Sequence, residues 1–236
     1  MSAAMSTMGR RAATFAMLAS LALTVPGTSS ADGGTAQWET VRNESGILVS
    51  RKDVPGSSFL AFRGEGDVNA PLLVVGSVLV DVAHETEWID SVVEARVLRR
   101  VSDTEYIIYS HVGTPVGLTD RDFVTSTTLS LDVAKRSLVV RMRSVSDPLA
   151  PHTSYVRGDL QQSSFTLTSS PDGTKTHVVA EIHCDPKGSV PAFVVNLFQK
   201  SWGYNTIVNL RRQVAKTSKA GDPALVALLD KQGFAH

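Results

Sequence analysis

The sequence predicts an α+β domain in which a run of antiparallel strands is bracketed by helices. Three observations predict it. Between 93 and 184, five or six strand candidates follow one another across short turns, which is a succession of strands and not an alternation of βαβ units. Several of them alternate: Phe123, Thr125, Thr127, Leu129 and Leu131 share one face, and Thr176, Val178, Ala180, Ile182 and Cys184 share another. Such alternation belongs to a sheet covered on one side. Over 190–216 the period changes to about 3.5, with Phe193, Leu197, Tyr204, Ile207, Leu210 and Val214 in a stripe that Val194, Phe198 and Trp202 widen. A helix with so broad an apolar face must be covered over much of its circumference.

The elements follow in order. Arg10 and Arg11 precede an apolar run over 12–25, then Pro26-Gly27 and small residues up to Ala31. That is the layout of a cleavable signal peptide, 1–31, with cleavage after Ala31, and the run is shorter than the ~20 residues that span a bilayer. Export to a secreted or periplasmic setting is the expectation. Segment 36–44 reads as a short helix ended by Asn43 and Gly46, and 47–51 and 59–66 as strands joined by Val54-Pro55-Gly56-Ser57. Asn69-Ala70-Pro71 opens a helix over 72–82, with a further turn or two at 84–90. Strands are expected at 93–102, 105–112, 121–131, 137–146, 155–168 in two pieces, and 174–184. After the long helix, Gly221-Asp222-Pro223 introduces a short one over 224–232. The main domain is bounded at 32–217, leaving 218–236 as a helical extension.

Charge and cysteine content narrow the function. The chain carries 23 basic and 23 acidic residues; loss of 1–31 removes Arg10 and Arg11 and no acid. With no basic excess, nucleic-acid binding has no electrostatic support. Cys184 is the one cysteine, so an internal disulfide is excluded. His84-Glu85-Thr86-Glu87 begins like a zinc-protease motif, but Trp88 stands where the second His is required. No G-x-S-x-G occurs. Neither a metal nor a cofactor is implied. In Asp185-Pro186-Lys187-Gly188 the residue types fit a strand-to-helix turn.

Arg121 is the most telling single residue. It is in phase with Phe123 and Leu129, and a guanidinium on an apolar face needs an acidic partner, a watered pocket or a ligand. The motifs TEWIDSVVEARVL at 86–98, DRDFV at 120–124 and CDPKGSVPAFVVN at 184–196 resemble, in order and spacing, the START (steroidogenic-acute-regulatory-related lipid-transfer) family, over roughly 36–217. The resemblance implies a helix-grip fold, a curved antiparallel sheet wrapped around the long C-terminal helix with shorter N-terminal helices. It also implies a carrier for one hydrophobic molecule, probed by the family's pairing of the RDF arginine with an acid six residues after a Trp. Here that pair would be Glu94 and Arg121, meeting the polar head of a lipid. Sheet phase and the helix stripe add Val112, Phe123, Thr125, Met142, Phe193, Leu197 and Ile207 as cavity lining, and the resemblance implies the loop 147–154, with Leu149, as part of an entrance. The expected partner is a lipid or other hydrophobic small molecule bound by a monomer, with transient membrane contact. A helix-grip enzyme of cyclase or hydrolase type, using Glu94, Arg121 and Tyr109, is the alternative, and an interaction module with a collapsed cavity is a third.

Overall fold

A computed structural model describes residues 37–114, 117–218 and 220–234, all within one compact unit that begins at Thr35. The expected leader lies outside the described residues. The first described element corrects the sequence reading: Glu39–Glu44 is a strand, β1, not a helix, and pairs with β2, Ile47–Lys52. The reason lies in the turn. Ser45 and Gly46 both have positive φ (55° and 67°), the geometry of a two-residue hairpin turn, so the Gly46 read as a helix end closes a hairpin instead. After a turn held by Ser57 N–H on the Val54 carbonyl, β3 runs Ala61–Val68.

Pro71 then starts α1, Leu72–Val80, whose first seven residues are all buried. A 3-10 turn follows at Val82–Glu87. Six strands come next: β4 Val92–Arg100, β5 Glu105–Val112, β6 Arg121–Asp132, β7 Ser137–Ser144, the two-residue β8 Val156–Arg157, and β9 Asp159–Ser169. After β10, Thr176–Asp185, come α2, Ala192–Val214, and α3, Pro223–Lys231. The sheet order is β1-β2-β3-β10-β9-β7-β6-β5-β4, antiparallel throughout except that β8 pairs in parallel with β6. This is the expected helix-grip arrangement, with a large antiparallel sheet and a long C-terminal helix.

Backbone contact sets the rotation of α2. A Cβ at Gly64 of β3 would collide with the Gly203 carbonyl, and one at Gly203 would lie 3.3 Å from Val49. Two glycines therefore let helix and sheet touch backbone to backbone. With that phase fixed, Val195, Gln199, Thr206, Ile207 and Leu210 turn inward. One continuous apolar core runs from β2 and β3 through α1 to the C-terminal half of α2, and it includes Leu225, Leu228 and Leu229 of α3. Asp222 caps α3 by accepting from Leu225 N–H at 2.8 Å. The segment read as an extension thus closes the same core. Among the described residues no helix is long and apolar enough to cross a membrane.

Candidate functional site

The motif at the start of β6 assigns one task to each residue. Asp120 accepts from Thr114 N–H at 2.8 Å and from His111 Nε2 at 2.9 Å, which closes the loop before the strand. Arg121, 6% exposed, donates to the carbonyls of Thr119, Pro186 (3.2 Å) and Lys187 (3.1 Å). Asp122 is fully buried and takes two bonds from Arg157, at 2.7 and 3.0 Å, which anchor β8. Burial pushes the Asp122 carboxyl up, but the bonds from Arg157 and Thr153 outweigh it and hold the group below the usual carboxylate range. Phe123 packs its ring where a Cβ on Gly158 would collide with it, and it faces a cavity.

That cavity, about 180 Å³, lies between the sheet and the N-terminal half of α2. Val112, Arg121, Phe123, Ile182 and Cys184 form its sheet wall; Val194, Val195, Phe198, Gln199 and Trp202 form its helix wall; Ile89 and Val92 close one side. Its surface is almost wholly apolar, and burial pushes the Cys184 thiol up to about 12, leaving it an uncharged wall group. Gln199 is 3% exposed; its Nε2 donates to the Cys184 carbonyl while its Oε1 has no partner among the described residues. The side carrying Ile89 is tied to the helix at a spacing of four: Asn205 and Asn209 donate to Asp90 and Gln213 to Glu87. Phe193 (73% exposed), Leu197 (65%) and Phe198 (40%) project from the first turns of α2 beside this cavity.

Comparison with known proteins places the chain. The sequence pattern of the START domain matches residues 28–219. The chain belongs to the START domain family. A STAR-related lipid transfer protein from Xanthomonas axonopodis is 27% identical, superposes with a TM-score of 0.67, and shares 75% of this chain and 98% of its own. Human StAR-related lipid transfer protein 5 is 24% identical with a TM-score of 0.70, over 77% of this chain and 88% of its own. An uncharacterized protein of Pseudomonas aeruginosa is 24% identical over 179 residues, covering 76% of this chain and 87% of its own.

In this START domain the residues named from sequence separate into groups. Val112, Arg121 and Phe123 line the cavity. Thr125 is buried on the same strand, and Met142 lines a smaller space further in. Ile207 is wholly buried in the core and does not line the cavity. Phe193 and Leu197 are exposed, because the contact at Gly64 rotates them outward. Leu149, 55% exposed, sits on a turn in which its N–H bonds Asp147 and does not line the cavity.

The Glu94–Arg121 pair does not form. Glu94 is exposed and bonds Arg96 at 3.0 Å. It lies on the edge strand β4, where irregular pairing between Val92 and Glu94 carries it away from the covered face. Tyr109 is buried in a separate small cluster with Ile107 and Val124. Of the three residues offered for the enzyme alternative, Arg121 borders the cavity and Glu94 and Tyr109 do not. Gln199 carries no apolar-stripe signal in the sequence; its place on the inward face, four residues after Val195 and four before Gly203, is the signal that marks it.

Proposed function

We propose that the protein is an exported monomeric carrier that holds one lipid or other hydrophobic small molecule between its sheet and α2. The observation that carries this reading is the apolar cavity of about 180 Å³ beside three exposed apolar residues at the start of the same helix. Burial of ligand surface there would supply ~25 cal/mol per Å². Phe193 and Leu197 supply what is needed for transient contact with a bilayer surface, from which such a molecule would be taken up. The names of the two lipid transfer proteins above support the same class of ligand.

Arg121 serves this function as a latch. It ties the turn at 186–187, which leads into α2, to the base of β6, and so fixes one wall of the cavity. The test fills the space: Val194→Trp, on the helix wall, should lower uptake of a fluorescent fatty alcohol from vesicles at least about tenfold with the fold retained by circular dichroism. Unchanged uptake would place the ligand elsewhere.

A further inference from the structure

Beyond the main cavity lies a second space of about 50 Å³, bordered by Glu85, Trp88, Ile89, Thr127, Met142 and Phe165 among others. Two of its polar groups lack partners among the described residues. Trp88 is 4% and Thr127 6% exposed, and neither the Trp88 Nε1–H nor the Thr127 Oγ1 has a hydrogen-bond partner among the described residues. Unpaired buried donors and acceptors each cost about 1–3 kcal/mol, so two at one small cavity call for an occupant. The Glu85 carboxylate beside them makes no ion pair among the described residues, and desolvation pushes it up to about 7.

The two spaces are aligned. Phe123 borders the larger cavity and Thr127 the smaller, four residues apart on one strand face, which is about 13 Å. Ile89 borders both. The partition continues as an edge-to-face series of rings, Trp88 to Phe165 at 6.1 Å and Phe165 to Trp202 at 6.2 Å. Trp202, partly buried, ends this series on the wall of the larger cavity.

We infer that Glu85, Trp88 and Thr127 form a polar subsite for the hydroxyl end of a ligand whose apolar body fills the larger cavity. This rests on the carrier reading above and adds the chemistry of the ligand's buried end. A hydroxyl matches all three groups: it accepts from Trp88 Nε1–H and donates to the Glu85 carboxylate, with Thr127 able to do either. An anionic end does not match. Among the described residues no cation borders the space, whereas Asp81 and Glu85 do, so an anion there would be desolvated with no counter-charge.

Titration with 1-tetradecanol, tetradecane and tetradecanoic acid at pH 8, read by tryptophan fluorescence, tests it. Tetradecanol should bind at least about tenfold more tightly than either of the others. In Thr127→Val and in Glu85→Leu the ratio of alcohol to alkane affinity should fall to about one. Equal binding of alcohol and alkane by the wild type would overturn the subsite and leave the carrier reading standing. An alcohol preference that survives in either folded variant would also overturn it. If none of the three binds, both readings fail.

Discussion

At Arg121 a positive charge is buried with no carboxylate beside it among the described residues, and the guanidinium fork is spent on three carbonyls. Alternation along β6 made its burial legible in the sequence; the carbonyls, two of them 65 and 66 residues away, were not, because backbone acceptors carry no residue signature. Glu94 misled for a related reason: spacing from Trp88 is a statement along the chain, while the irregular pairing in β4 acts on direction. Glu85 makes a residue-scale prediction. Its folded pKa, about 7 against 4.5, means the native state binds the proton more tightly, so stability falls as pH rises from the unfolded value through about 7. The linkage limit is about 3 kcal/mol, less for a partly exposed group. Glu85→Gln should therefore stabilise the protein by roughly 1–3 kcal/mol at pH 8 and by much less at pH 4, measured by urea unfolding. Equal effects at both pH values would contradict this.

At the scale of elements, most strands and both C-terminal helices lay close to where periodicity put them, because one-sided burial imprints a period on the sequence. The failures share a cause. The stretch 36–44 has no decisive period in the sequence, and the strand character of Glu39–Glu44 comes from pairing with β2 and from cation contacts such as Arg42 over the Tyr204 ring, 3.4 Å from its centroid. The stripe on α2 gave the helix but not its rotation. Gly64 and Gly203 set that rotation by contact between elements, and as a lone helical glycine Gly203 looked only like a cost of ~1 kcal/mol. Gly64→Ala should consequently destabilise by more than about 3 kcal/mol, or prevent folding, because its methyl meets backbone that has no rotamer to change. A thermal midpoint within a few degrees of wild type would refute the backbone contact.

At the scale of the molecule, α2 divides its labour. Its C-terminal half, with Ile207, Leu210 and Val214, belongs to the continuous core, while its N-terminal half roofs the cavity and carries the exposed Phe193 and Leu197. The helix is thus firmly packed into the core at one end and forms the cavity wall at the other. The asparagines and glutamine that bind Asp90 and Glu87 fasten the firm end to the segment beside the cavity. The most direct test of the carrier account is native mass spectrometry of the protein purified without detergent, followed by solvent extraction of whatever it holds. The account predicts one apolar molecule per chain, released on extraction and carrying a free hydroxyl. A chain that stays at its bare mass even after incubation with lipid vesicles would contradict it.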